Sequence, residues 1–126
     1  IRGARLSHPG GVTGYRIEGP GFVLAVLTDV EHGEEESDRA ARDLARGADV
    51  LVYDAQYLED EAETAKKGWG HSTWREAVSV AADAGVGRLL LTSHDPSRTD
   101  DGVDAIVAAA RRRFPATEAA VGRVPL

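Results

Sequence analysis

The sequence predicts an α/β layered domain with a mixed sheet flanked by helices, on three observations. Two β-like runs open the chain back to back, VTGYRIEG at 12–19 and GFVLAVLTD at 21–29, with Gly19, Pro20 and Gly21 marking an antiparallel hairpin between them. Downstream, short apolar strands alternate with amphipathic stretches of helical period, the order that yields parallel strands joined by crossover helices. Finally, 126 residues with 42% apolar and 29% charged side chains suit one soluble domain with a real core.

Each element has a local reason. Ser37 can cap a helix over about 38–46 in which Ala41, Leu44 and Ala45 share a face and Gly47 supplies the stop. DVLVYDAQY at 49–57 reads as a buried strand, and the acidic LEDEAETAKKG at 58–68 as a mobile connection. Thr73 with Glu76 forms a capping box that starts a helix running to about Ala84, closed by Gly85. The strand VGRLLLTSH follows, and a last helix begins after Thr99 or Asp100 and ends at Phe114 before Pro115. Arg111, Arg112 and Arg113 fall in its final turn, where cations complement the helix dipole, so they read as a solvated terminus rather than a phosphate site.

Composition removes several function classes. The absence of cysteine excludes disulfides, thiolate metal sites and a thiol nucleophile, leaving His and carboxylates as metal ligands. No apolar run reaches the roughly 18 residues that span a bilayer, so the expectation is a cytoplasmic protein without a membrane partner. A net charge of −6 opposes non-specific attraction to nucleic acid.

The chemistry-bearing residues gather at strand ends. Asp29 ends FVLAVLTD, Asp54 ends VLVYD, and His94 with Asp95 ends RLLLTSHD, so one polar rim is expected where Asp29, Asp54, His71 and His94 converge. Each has an ordinary alternative: Asp29 as a turn cap, Asp54 as an acceptor for backbone donors, His8 as a turn residue before Pro9. His32, in the acidic loop DVEHGEEE, reads as a solvated side chain. His71, in GWGHST, lies between glycine and a capping pair with no apolar face to occupy, which favours a functional role.

In order, HPGGVTGYRIE, LTDVEHG, ADVLVYDAQY, GWGHSTWREAVSVAADAG and RLLLTSHDPSRTDD resemble the C-terminal half of metallo-β-lactamase-fold hydrolases, in the branch of ribonuclease Z and phosphodiesterases. The resemblance implies that residues 1–126 form half of a four-layer αβ/βα sandwich. It also implies a dinuclear metal-dependent hydrolase that cleaves a phosphodiester or related ester with a metal-bridging hydroxide. By position, His8 matches the histidine that completes the first metal site, Asp29 the carboxylate bridging two metals, and His94 the histidine of the second site, although the ribonuclease-like pattern puts that histidine at Ser93. His71 matches the non-ligand histidine near the scissile phosphate, and Asp54 the acidic residue that orients it. A carboxylate on one ring nitrogen fixes the tautomer and supports an imidazolium that donates a proton to a departing alkoxide.

The implied cofactors are two divalent ions, zinc first, with manganese or iron as alternatives. The family's His-x-His-x-Asp-His motif does not occur in these 126 residues. The expectation is therefore a missing N-terminal half, supplied by the same polypeptide or a second chain, and inactivity of this chain alone; the start at Ile1 without any methionine agrees with truncation. A small phosphodiester or ester is the expected substrate, with RNA as the other option, and the analogy suggests a homodimer. The rival reading is a non-catalytic domain of the same fold kept for binding or regulation.

Overall fold

Alternation in the N-terminal strands builds the first part of the sheet. The computed structural model describes residues 1–64 and 66–122. In it β1 (Arg2–Leu6), β2 (Val12–Gly19) and β3 (Phe22–Leu27) pair antiparallel, with Gly19 opposite Phe22 and Gly21 at φ +71 in the tight turn that Pro20 initiates. The remaining strands are β4 (Val50–Asp54), β5 (Arg88–Thr92) and β6 (Thr117–Ala119), each parallel to its predecessor from β3 onward. The described residues thus give a sheet in the order β1-β2-β3-β4-β5-β6.

That monotonic order has a consequence for the helices. Crossovers between parallel strands are right-handed, so successive crossovers progressing in one direction lay their helices on the same face. Helices α1 (Glu35–Ala45), α3 (Trp74–Ala84) and α4 (Asp100–Arg111) pack there, and Ala25, Leu27, Leu51, Tyr53, Leu89 and Leu91 meet Leu44, Ala77, Val80, Ala81 and Ile106 in one core. Close approach at the β2 end depends on Gly14, where a Cβ would lie 2.6 Å from Leu27 and 2.7 Å from Leu6. Beside it, the buried Arg16 guanidinium donates to the carbonyls of Leu44 and Arg46 at 2.9 and 2.7 Å, satisfying the end of α1.

The opposite face carries no helix among the described residues; it is apolar over β2 to β4, and Arg88 of β5 pairs with Glu118 of β6 on it. Tyr15, Val26, Val52 and Leu90 stand in one register row across β2 to β5, and Tyr15 keeps 47% of its surface exposed.

Several expectations change. Ser37 does not cap α1: it lies inside the helix, buried, and its hydroxyl accepts the backbone N–H of Ser7 at 2.8 Å, while Glu34 holds the N-cap position without a side-chain bond. The segment read as mobile contains α2 (Glu59–Thr64), held by ion pairs Glu61–Arg98 and Glu59–Arg75; Ala65 of that segment lies outside the described residues. The last helix stops at Arg111, and Arg111 is more than a solvated terminus, because its Nε donates to the Thr117 carbonyl at 2.8 Å and anchors β6. The capping box of Thr73 and Glu76 and the left-handed Gly85 that closes α3 are present as expected.

Candidate active site

Parallel pairing of β3, β4 and β5 brings their C-terminal ends to one edge, and the polar residues follow. Asp54, the last residue of β4, is fully buried and accepts four N–H groups. Oδ2 receives His71 Nδ1 at 2.7 Å and the Asp29 backbone at 3.0 Å; Oδ1 receives the backbones of Ser72 at 3.0 Å and Gln56 at 3.2 Å. Burial raises the Asp54 pKa, and the bonds from His71, Ser72 and Gln56 oppose that rise. Four donors and no acceptor suit the ionised carboxylate. One side chain therefore ties together the loop after β3, the end of β4 and the entrance of α3.

The loop that carries His71 is fixed from several sides. The Glu31 carboxylate accepts the backbone N–H groups of Gly68 at 2.6 Å and Gly70 at 2.9 Å. Ser72 donates its hydroxyl to the Val30 carbonyl, and Tyr57 donates its N–H to the Ser72 carbonyl at 3.1 Å. The Gly70 carbonyl accepts His8 Nδ1 at 2.8 Å, and the His8 ring meets the His71 ring edge to face at 5.5 Å. Both histidines thus use Nδ1 as a donor, which assigns the Nε2 lone pair to the rim when they are neutral.

The donor atoms of Asp29, Asp54 and His71 lie within 4.8 Å of one another. Asp54 is saturated by its four donors, so within that trio Asp29 is the available carboxylate; His8 and His94 stand outside the trio at that distance. Asp29 sits at φ 55, a left-handed backbone that turns the chain sharply at the strand end, and Ser93 does the same at φ 59 before His94. Both ring nitrogens of His94 are buried without a hydrogen-bond partner. Burial also holds its imidazole below the usual pKa, favouring the neutral ligand form. Unpaired buried nitrogens on His94, a carboxylate without a competing donor on Asp29 and a free Nε2 on His8 are properties that divalent cations use in their ligands, while of these three only Asp29 lies in the group drawn together within 4.8 Å.

Three further features were not apparent from sequence. Lys66 pairs with Asp95 at 3.0 Å and stands 4.8 Å above the Tyr57 ring, which closes the α2 segment over the strand ends. Asp95 is held well below the usual carboxylate range by the Ser97 hydroxyl and N–H, then by Lys66. His32 is not solvated: its side chain is mostly buried, Nε2 meets the Tyr53 hydroxyl at 2.5 Å and Nδ1 faces Asp38 at 3.5 Å. Glu31 carried no sequence signal, because its partners are backbone amides 37 and 39 residues away.

Residues 2–94 match the family described as "Beta-lactamase superfamily domain". The chain is 40% identical to ribonuclease Z of Brevibacillus brevis over 92 residues, covering 70% of this chain and 29% of that protein. It is 41% identical to ribonuclease BN of Escherichia coli K12 over 102 residues, 80% of this chain and 31% of that one. Among solved structures, the metallo-beta-lactamase fold protein YhfI of Bacillus subtilis superposes with a TM-score of 0.74 at 21% identity, over 94% of this chain and 45% of its own. Human tRNase Z, short form, superposes at 0.61 with 25% identity, over 75% and 35%. The chain therefore spans under a third of the curated relatives it matches and under half of the solved ones. By sequence match and by fold, the chain belongs to the beta-lactamase superfamily.

Proposed function

We propose that this chain carries the proton-handling pair and part of the metal site of a hydrolase that cleaves phosphodiesters. The observation that carries the reading is the 2.7 Å bond between His71 Nδ1 and a saturated, buried Asp54, which leaves His71 Nε2 on the rim beside Asp29. In this reading His8, Asp29 and His94 hold divalent cations. Such cations would supply polarisation of the phosphoryl oxygens and acidify the attacking water. Imidazole and carboxylate donors suit zinc, with manganese and iron as alternatives.

The chain's own residues do the remainder. Protonated at Nε2, His71 donates to the oxygen that leaves phosphorus, and the Asp54 carboxylate stabilises the imidazolium through Nδ1–H and fixes the ring plane. Asp54 itself stays ionised, committed to three backbone amides as well as to His71. Glu31 and the Ser72 hydroxyl hold the loop so that the ring does not swing away from the rim.

Two histidines and one aspartate do not complete two cation sites, so further ligands come from a second αβ half that also covers the open sheet face. The relatives named ribonuclease Z and ribonuclease BN favour RNA as substrate, while the charge of −6 favours a small phosphodiester for this half taken alone. No helix among the described residues is long and apolar enough to cross a membrane, and we place the protein in the cytoplasm.

The test is His71→Ala in the intact protein, assayed on a generic phosphodiester. Turnover is expected to fall on the order of 100-fold or more with metal content unchanged. Unaltered turnover would remove the proton-donor role.

A further inference from the structure

Trp69 stands beside His71 with no structural task. It keeps 59% of its surface exposed, whereas the chain's other tryptophan, Trp74, is 8% exposed. Single exposed apolar residues are ordinary on protein surfaces. What sets Trp69 apart is the rigidity of the backbone that presents it. Its own N–H bonds to the Lys66 carbonyl at 3.1 Å, and the amides on either side, Gly68 and Gly70, are clamped by the two oxygens of Glu31. Gly68 and Gly70 take φ +85 and +93, and the Gly70 carbonyl is occupied by His8. Among the described residues the indole itself makes no ring or cation contact. A well-fixed backbone thus holds out an unsupported aromatic plane.

The neighbourhood indicates what that plane could receive. Trp69 precedes His71 by two residues, at most about 7 Å along the chain. A cleft of about 270 Å³ beside His71 is lined by Lys66, Lys67, Glu31, His32 and Glu76. Lys66 is committed to Asp95, and Lys67 is exposed. An exposed aromatic face two residues from the histidine and an exposed lysine lining the cleft beside it suit a planar ring attached to a phosphate, since every nucleobase offers a π-face and stacking tolerates sequence.

We infer that Trp69 is a stacking platform for the nucleobase next to the phosphate that reaches His71. This rests on the phosphodiester reading above, and it concerns ring recognition rather than bond cleavage.

The experiment is a fluorescence titration of the intact, metal-loaded protein with AMP, with a short single-stranded RNA and with ring-free ribose 5-phosphate, in wild type, Trp69→Ala and Trp69→Phe. Quenching of indole emission is expected with AMP or the RNA. A competition assay should show that ligand binding about tenfold weaker in Trp69→Ala and largely restored in Trp69→Phe, with ribose 5-phosphate affinity alike in all three. Response to the RNA alone would identify a polynucleotide as the source of the base; response to AMP would identify a mononucleotide. Equal affinities for AMP and RNA in wild type and Trp69→Ala, or a loss of thermal stability in Trp69→Ala without change in binding, would overturn the assignment. Because the readout is binding, it decides the matter even if no phosphodiester is hydrolysed, in which case the catalytic reading fails separately.

Discussion

Gly70 is where the two histidines of the rim depend on each other most sharply. Its φ of +93 belongs to glycine, and a Cβ there would fall 2.1 Å from His8 Nδ1 and 2.5 Å from Pro9. Gly68, with φ +85, has nothing within 4 Å of the same position. Gly70→Ala is therefore expected to displace His8 and lower kcat/KM on the order of 100-fold, while Gly68→Ala suffers backbone strain alone and loses far less. Steady-state kinetics of the two variants side by side checks this, and similar losses in both would dissociate His8 from the Gly70 contact. His71 and Asp54 could be picked out in the sequence because a histidine between glycine and a capping pair, and an aspartate at the end of an apolar strand, have few structural tasks. Glu31 and the buried setting of His32 could not, since both depend on partners that only the folded chain brings near: distant amides for Glu31, the Tyr53 hydroxyl for His32.

At the scale of elements, the hairpin, the three long helices and strands β4 and β5 were legible because periodicity, caps and turn residues all act locally, whereas β1 and the three-residue β6 were not, each being a short run without an apolar pattern of its own. The failures share a cause. Ser37 has the chemistry of an N-cap, yet the helix starts earlier and its hydroxyl serves β1 through Ser7. The α2 segment has almost no apolar stripe, and its order comes from Glu61–Arg98 and Lys66–Asp95, pairs separated by 37 and 29 residues. The second of these predicts a pH effect. The folded pKa of Asp95 is depressed, so its contribution to stability is complete above the unfolded value and is lost as pH falls through the folded one. The difference in thermal midpoint between wild type and Asp95→Asn should thus be largest at neutral pH and shrink below about pH 4. A difference that stays constant down to strongly acid pH would mean that Asp95 is not held by charge and hydrogen bonding.

The whole molecule has a sheet with helices on one face and, on the other, an apolar surface over β2 to β4. The row of Tyr15, Val26, Val52 and Leu90 runs from a buried Leu90 to a Tyr15 that stays 47% exposed, and the chain matches 29% and 31% of the ribonuclease relatives' lengths. In our account a second αβ half covers this face and supplies the remaining ligands. Residues 1–126 produced alone are then expected to self-associate or to unfold far more readily than the intact protein, as read by sedimentation and thermal melts. A stable, monomeric 126-residue chain would sink the complementary half. The sequence could point to this only through the motif it lacks, because alternation along β2 does not distinguish a face exposed to water from one awaiting a partner.

Metal content is the decisive measurement for this protein. Elemental analysis of the purified intact protein should find two equivalents of divalent metal, zinc foremost, and Asp29→Ala should lose them while remaining folded. A fully folded wild-type protein that stays metal-free after exposure to zinc, manganese and iron would rule out a metal-dependent hydrolase.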